Sequence, residues 1–218
     1  MTQRKHPIRG FTLVEFAIVL GVIGAIMGGI WAMSGSMRNN TKQEKFSEML
    51  TTTVGNIRGH YAGKAYFESH AVATMMPKLT SMNVFPGDAV YQNGGYSVVD
   101  NPFGSILGTY NSSFYVCGWM ANPTAAQSKC DTTSPPGTLV ATPLFAIESL
   151  FSDVASCGNA VVMNSNPATL PGLVAVYVNG NKDGGTTALP ISPAVANLGG
   201  NCGSSGTKVV DFVFRLNP

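Results

Sequence analysis

Residues 11–33 read FTLVEFAIVLGVIGAIMGGIWAM, and Glu15 is the only charged side chain in this run. An α-helix rises about 1.5 Å per residue, so a helix of this length spans roughly 30 Å, the thickness of the hydrocarbon core of a bilayer. The apolar part of a secretory signal peptide is shorter and leads into a small-residue cleavage site. The run therefore predicts one membrane-crossing helix.

The charges that flank this run predict its orientation. Arg4, Lys5 and Arg9 precede it, and a polar chain follows it. Short basic flanks stay in the cytoplasm, so we expect the N-terminus there and everything after residue 33 on the exported side.

The overall charge excludes a nucleic-acid partner. The chain has 218 residues, of which 13 are basic and 11 acidic, giving a net charge of +2. Without the three basic residues of the leader the balance is 10 to 11, so no basic surface remains to bind phosphates. Charged residues make up 11% of the chain, with abundant Gly, Asn, Ser and Thr, a composition that argues against disorder.

The junction between the basic leader and the apolar run carries a specific motif. Gly10 ends the leader, the aromatic Phe11 follows, and the carboxylate of Glu15 comes four residues later inside the membrane run. This arrangement resembles the class III signal of the type IV pilin family. The resemblance implies that a membrane prepilin peptidase cuts after Gly10 on the cytoplasmic side and methylates the new amine of Phe11. Glu15 matches the glutamate that is fifth in the mature chain of the family.

The resemblance also implies partners and a location. A type IV pilin precursor is stored in the bacterial inner membrane, is extracted by an inner-membrane assembly platform, and polymerises with copies of itself into an extracellular pilus. Such filaments serve adhesion, aggregation or conjugative contact, so a host or recipient cell surface is a further partner. The resemblance is strong over about the first forty residues and weak beyond them, and it implies no cofactor.

An ionisable side chain in a membrane helix is costly and usually functional, so Glu15 is the main candidate for an assembly residue. In an apolar helix bundle its carboxylate needs a cation, and the methylated amine of Phe11 of an adjacent subunit would supply one. We expect Glu15 to set the register between subunits. The alternative is a polar residue that reaches the interface from near the helix end.

Four glycines, Gly21, Gly24, Gly28 and Gly29, recur at short intervals in the run. Glycine costs close to 1 kcal/mol relative to alanine inside a helix. Small faces that pack against other helices explain the spacing, as in the pair Gly24 and Gly28. Local unwinding on assembly, as in the pilin family, is an equally good explanation.

Residues 34–62 predict an amphipathic continuation of the same helix. The apolar positions recur mostly every three or four residues, with charged residues between them: Met37, Phe46, Leu50, Val54, Ile57 and Tyr61. One face is expected to be buried under a globular domain. Gly59 and Gly63 predict the helix end, and a short second helix is expected over 69–76, stopped by Pro77.

Residues 63–218 predict one exported α/β head. Turn signals recur at short intervals, and the better strands between them are 96–99, 113–117, 173–178 and 209–216. In the last strand one face is apolar: Val210, Phe212, Phe214 and Leu216. Its other face carries Asp211 and Arg215 and is expected to be partly wet. Residues 144–154 are predicted to be a helix, with Cys157 near its end.

The predicted fold class is α+β, a long N-terminal helix whose C-terminal half packs on an antiparallel sheet, as in the type IV pilin fold. The expected organisation is a cleaved leader at 1–10, a membrane and filament-core helix at 11–33, an amphipathic half-helix at 34–62 and the head at 63–218.

The four cysteines, Cys117, Cys130, Cys157 and Cys202, all follow the membrane run, so export places them in an oxidising compartment. Two disulfides are expected, and three connectivities are open. We expect Cys117 with Cys130 across a loop that contains Pro123, and Cys157 with Cys202. The second pair also resembles the C-terminal disulfide loop of type IV pilins.

Neither a metal site nor an enzyme is predicted. The cysteine spacings contain no Cys-x-x-Cys, and His6, His60 and His70 lie outside them, which argues against zinc. No template for a nucleophile elbow, a phosphate-binding loop or a zinc protease occurs. We expect no catalytic residue, no metal and no cofactor.

The subclass and two rival functions are open. The leader has ten residues, no proline occurs between residues 11 and 73, and a mature chain of 218 − 10 = 208 residues resembles the type IVb pilins. Phe11 is nevertheless the usual first residue of type IVa pilins. One rival is a minor pilin or type II secretion pseudopilin, against which Glu15 favours a subunit of the filament body. The other is a membrane-anchored exported binding or enzymatic domain that never polymerises.

Overall fold

A helix of 48 residues, α1 (Leu13–His60), opens the computed structural model of the chain. The residues that the structure describes are 12–69, 72–93, 96–104, 112–119, 140–182, 189–203 and 205–218. The chain divides into two compact units, Met1–Thr41 and Lys42–Pro218. Helix α1 ends near the predicted point, because Gly63 adopts a positive φ of 80° in the turn that follows it.

The elements after α1 are strands with a few short helices among them. In chain order they are β1 (Phe67–Ser69), α2 (Val72–Ser81), a 3₁₀ turn (Gly87–Ala89), β2 (Val90–Asn93), β3 (Tyr96–Val99), β4 (Phe114–Gly118), β5 (Val140–Thr142), β6 (Leu144–Phe151), α3 (Val154–Asn164), β7 (Leu173–Val178), β8 (Asn181–Lys182), α4 (Pro193–Ala196) and β9 (Lys208–Arg215). All four predicted strands are confirmed, with boundaries that shift by at most one residue.

The main sheet is antiparallel and five-stranded, in the order β4-β6-β9-β7-β8. Strand β9 lies at its centre and pairs with β6 along its whole length, from Leu144 opposite Arg215 to Phe151 opposite Lys208. On its other side β9 pairs with β7, where the register shifts between Leu173 and Ala175. Two smaller ladders join β1 to β5 and β2 to β3.

The apolar face of α1 in the second unit packs on this sheet. Phe46, Leu50 and Ile57 are completely buried in the main core. The ring of Phe46 lies 5.5 Å from that of Phe151 and 6.1 Å from that of Phe212, measured between centroids. The predicted α+β fold, a long N-terminal helix whose C-terminal half packs on an antiparallel sheet, is confirmed. Met37, in the first unit, is 68% exposed and does not join the core.

The predicted helix over 144–154 is wrong, because Leu144–Phe151 is the strand β6. The apolar residues of this segment fit a helical period, but a short apolar run fits a buried strand equally well. Strand β6 lies between β4 and β9, and Phe145, Ala146 and Ile147 are all fully buried. The helix begins one element later, at Val154, where the Asp153 side chain accepts a hydrogen bond from Ser156 N. Cys157 therefore lies in the first turn of α3.

Pro77 does not stop the second helix, which is the other local error. Helix α2 runs through it to Ser81, and Ser69 belongs to β1. Proline in a helix interior removes one backbone hydrogen bond. The helix continues because Met75, Met76 and Leu79 bury their side chains in the core on both sides of the proline.

The second face of β9 is more deeply buried than predicted. Arg215 is exposed, but Asp211 is 4% exposed and Val213 is 1% exposed. Val213 belongs to a second, smaller apolar cluster on this face, together with Cys117, Trp119, Ala146 and Ala175. The rings of Trp119 and Tyr177 lie 4.7 Å apart at its border. The sheet is thus buried on both faces near its centre, where an alternating strand pattern predicted a wet surface.

Candidate functional site

The start of α1 is held by a reciprocal pair of hydrogen bonds between Thr12 and Glu15. The Thr12 backbone N–H and hydroxyl donate to Glu15 Oε2 at 2.9 Å and 2.8 Å, and the Glu15 N–H donates to Thr12 Oγ1 at 3.3 Å. This is a capping box, in which an N-cap threonine and the glutamate three residues later satisfy each other. The carboxylate also lies at the positive end of the helix dipole.

The surroundings of Glu15 are apolar and open. Leu13 is 86% exposed, Val14 is 65% exposed and Phe16 is 61% exposed. The capping box uses Oε2, and its partners belong to the same turn of helix, so it positions the carboxylate without burying it. The group can therefore accept a cationic partner from outside the chain.

The helix that carries Glu15 presents apolar side chains on every face. Leu13–Trp31 is long and apolar enough to cross a membrane by length and composition, and none of it is buried. Twelve large apolar residues of this segment are exposed, from Ile23 at 43% to Leu13 at 86%. A Cβ added at Gly21, Gly24, Gly28 or Gly29 would meet nothing within 4 Å. The small faces predicted from the glycine spacing are open surface.

The predicted cleavage and methylation residues, Gly10 and Phe11, lie outside the described residues, so both stay predictions. The structure therefore brings Glu15 together with Thr12 and tests nothing of its pairing with the amine of Phe11. Thr12 is the residue that sequence reasoning missed. Its signal was in the sequence, because Thr12-Leu13-Val14-Glu15 matches the spacing of a capping box before an apolar run.

The predicted disulfide between Cys157 and Cys202 is confirmed. The two Cα atoms lie 5.6 Å apart across a sequence separation of 45, and both side chains are fully buried. The bond ties the first turn of α3 to the segment that follows α4. Cys117 lies buried in β4, but Cys130 is outside the described residues, so the pair Cys117 with Cys130 stays a prediction. Among the described residues, no three His, Cys, Asp or Glu side chains gather closely enough to hold a metal ion.

In comparisons with known proteins, no family model and no curated protein matches the chain. Among solved structures the chain is similar to a type IVb pilin from Salmonella typhi. The two share 16% sequence identity with a TM-score of 0.48, over 82% of this chain and 99% of that chain.

Proposed function

We propose that the chain is the precursor of a type IV pilus subunit, most like a type IVb major pilin. It is held in the inner membrane by α1, cut after Gly10, methylated at Phe11, and polymerised through its N-terminal helix. The observation that carries the proposal is the apolar segment Leu13–Trp31, none of which is buried, with one carboxylate near its start.

The segment needs an apolar environment. Burying one large apolar side chain stabilises by about 1.5–3 kcal/mol, so twelve of them represent on the order of 20 kcal/mol. Lipid supplies that burial in the precursor, and the helices of neighbouring copies supply it in a filament. A membrane anchor that never left the bilayer would need the first environment only, and its Glu15 would do no more than cap the helix near the membrane boundary.

The Glu15 carboxylate has different requirements in the two environments, the bilayer and the filament core. At the membrane boundary the carboxylate keeps its capping-box partners and reaches the interface. In a filament core, water is excluded, and a lone carboxylate there costs several kcal/mol unless a cation meets it. The methylated amine of Phe11 of the next subunit is that cation in our proposal, so the pairing selects one register between neighbouring subunits.

Processing is tested first, by intact mass and N-terminal sequencing of the cell-associated protein. We expect a chain that begins at Phe11 and carries one added methyl group. Isoelectric focusing gives a second readout, because loss of Arg4, Lys5 and Arg9 changes the formal charge from +2 to 10 − 11 = −1. An uncleaved, unmethylated chain would refute the proposal and favour an anchored domain that does not polymerise.

Assembly is tested with Glu15→Ala in cells that make filaments. The variant should be processed normally and yield no sheared filaments in electron microscopy. Glu44→Ala, which removes an exposed carboxylate further along α1, is the matched control and should yield normal filaments. Thr12→Val separates the two roles of Glu15: it removes the capping hydroxyl but keeps the carboxylate, so filaments should persist. Normal filaments from Glu15→Ala would exclude the register role.

The composition of purified filaments separates a major from a minor pilin. A major pilin makes up most of the filament mass, whereas a minor pilin or pseudopilin is a trace component. We expect this chain to dominate the sheared fraction and to need the prepilin peptidase and the inner-membrane assembly platform for its appearance there.

A further inference from the structure

Trp31 and Arg38 mark the exported end of the apolar segment, and both lie in the first unit. Trp31 is 80% exposed, Arg38 is exposed, and α1 is helical throughout the residues between them. Seven residues separate the two positions, which is about 20° short of two full turns. The indole and the guanidinium therefore project from the same side of the helix.

The depths of Trp31 and Arg38 along the helix axis match two layers of a membrane boundary, the edge of the hydrocarbon and the headgroups. Leu13–Trp31 has the length of a bilayer core, about 28 Å, which puts Trp31 where the hydrocarbon ends and where tryptophan is enriched. The Cα of Arg38 is about 10 Å further along the axis. Helical side chains lean toward the N-terminus, so the long arginine side chain returns its charge to the headgroup layer, about 5–7 Å thick.

The charge of Arg38 lacks a carboxylate nearby in sequence. No acidic residue occurs between Glu15 and Glu44, so no glutamate or aspartate stands three or four residues from Arg38 on the helix. A lipid phosphate complements the guanidinium, since the planar fork donates two parallel hydrogen bonds to phosphate oxygens. Anionic lipid adds a net negative charge that zwitterionic lipid does not have.

We propose that Trp31 and Arg38 form a binding surface for anionic phospholipid headgroups in the exported leaflet. The indole lies at the hydrocarbon boundary and the guanidinium binds the lipid phosphate one layer further out. The inference rests on the membrane placement in the proposed function, and it adds the lipid partner and the depth of the helix.

The depth has a consequence for Glu15. Sixteen residues separate Glu15 from Trp31, about 24 Å along the axis. With Trp31 at one boundary of a core of roughly 30 Å, Glu15 lies about 6 Å from the opposite boundary. Its side chain leans toward that boundary, so the carboxylate stays hydrated. The contact at the exported end thus opposes a sliding of the helix that would draw the carboxylate deeper into hydrocarbon.

The test uses the uncleaved full chain in vesicles of phosphatidylcholine mixed with phosphatidylglycerol. Trp31 fluorescence is quenched in turn by brominated phosphatidylcholine and by brominated phosphatidylglycerol at equal mole fraction. Trp119, the second tryptophan, is 2% exposed and contributes an unquenched background. The three basic residues of the leader belong to the other leaflet and do not bring lipid within reach of Trp31.

We expect brominated phosphatidylglycerol to quench Trp31 with up to a fivefold preference, the equivalent of about 1 kcal/mol for one basic residue at an anionic surface. Arg38→Gln should reduce the preference to near unity. Lys45→Gln, which removes the same charge two turns further on, should leave it intact. Equal quenching by the two lipids in the unmodified chain, or a preference that survives Arg38→Gln, would overturn the inference.

Failure of this inference and failure of the proposed function give different results. If neither lipid quenches Trp31, the membrane placement itself is wrong, and the proposed function fails with it. If both lipids quench it equally, the placement stands and only the headgroup contact is excluded. Neither result depends on cleavage or on filament assembly.

Discussion

At the residue scale, Arg58 links the end of α1 to the C-terminal end of the sheet. Its Nε and Nη2 donate to the Arg215 carbonyl at 3.3 Å and 3.0 Å, and its guanidinium lies 6.0 Å from the centroid of the Phe214 ring. Burial lowers the pKa of Arg58 from its ordinary value, and the group stays charged at physiological pH. Gly172 gives this side chain its room, because a Cβ there would collide with Nη2 of Arg58.

We predict that Gly172→Ala and Arg58→Ala destabilise the head less together than the sum of their separate effects. Gly172 has a φ of +77°, which costs an alanine roughly 1–2 kcal/mol, and the collision adds to it. Arg58→Ala loses charge-assisted hydrogen bonds worth about 1.5 kcal/mol. In the double variant the collision is gone, so we expect a coupling of at least about 0.5 kcal/mol. Urea unfolding followed by near-UV circular dichroism measures it.

Lys45→Ala serves as the control for this cycle, since Lys45 is exposed on the same helix. A surface substitution of this kind should change the unfolding free energy by less than about 0.5 kcal/mol. If the two single effects on the unfolding free energy are strictly additive, a Cβ at position 172 does not collide with the Arg58 side chain in solution.

The Tyr115 hydroxyl gives the head a pH dependence in the alkaline range. Burial raises the pKa of Tyr115, and the nearby charges of Glu148 and Asp100 raise it further. The hydroxyl donates a hydrogen bond to the Ser112 carbonyl, which stabilises its protonated form. Because the folded pKa exceeds the unfolded value of about 10, this contribution is fully present below pH 10. Above that pH the unfolded chain releases the proton first, so the stability falls.

We therefore predict that Tyr115→Phe flattens the loss of unfolding free energy above about pH 10. At neutral pH the same variant should lose about 1 kcal/mol, the value of one buried hydrogen bond. Tyr66→Phe is the matched control, because Tyr66 is 53% exposed. If both variants lose unfolding free energy at alkaline pH as steeply as the unmodified protein does, Tyr115 is not the cause of that loss.

At the scale of elements, α1 carries a polar residue on its buried face. Gln43 is 3% exposed, and neither its Nε2 nor its Oε1 has a hydrogen-bond partner in the described part of the chain. A buried amide without partners costs about 1–3 kcal/mol. We predict that Gln43→Met, which keeps the length of the side chain, raises the unfolding free energy by about 1 kcal/mol. Gln43→Glu should lower it, and the reverse order in urea unfolding would contradict the burial of this position.

The elements show which parts of the fold could be predicted from sequence. The long helix was predictable from its apolar run and from the helical period of its second half, and β9 from the alternation that includes Phe212 and Phe214. Strand β6 was not, since Phe145, Ala146 and Ile147 are buried on both sides and carry no period of two. Pro77 was misread because the core contacts of α2, invisible in the sequence, outweigh the hydrogen bond that proline removes.

The candidate site was predictable for a different reason. Glu15 is conspicuous as a lone charge among apolar residues, and that contrast needs no tertiary information. Its capping partner Thr12 was equally local and could have been found from spacing. The burial of Asp211 could not, because it depends on what covers the second face of the sheet.

At the scale of the whole molecule, the disulfide between Cys157 and Cys202 constrains a loop that includes β7, β8 and α4. The loop-entropy model assigns such a closure about 4 kcal/mol. We predict that replacing both cysteines by serine lowers the unfolding free energy of the head by up to this amount. Reductant should destabilise the unmodified protein more than the variant, by a similar amount, because the variant keeps only the predicted pair of Cys117 with Cys130. If reductant lowers the unfolding free energy of both proteins equally, the disulfide between Cys157 and Cys202 is not the cause of the loss.

The central place of β9 also determines when the head can fold. Strands β6 and β7 do not pair with each other and share β9 as their neighbour, yet β9 follows both of them in the chain. Synthesis runs from the N-terminus, so Lys208–Arg215 is made after β6 and β7. Until then Phe145, Ile147 and Val176 lack their partner strand and remain open to chaperones and proteases. The five-stranded sheet of the head therefore closes only once Lys208–Arg215 is available, and in the exported chain that we propose this places completion of the sheet after β9 has crossed the membrane.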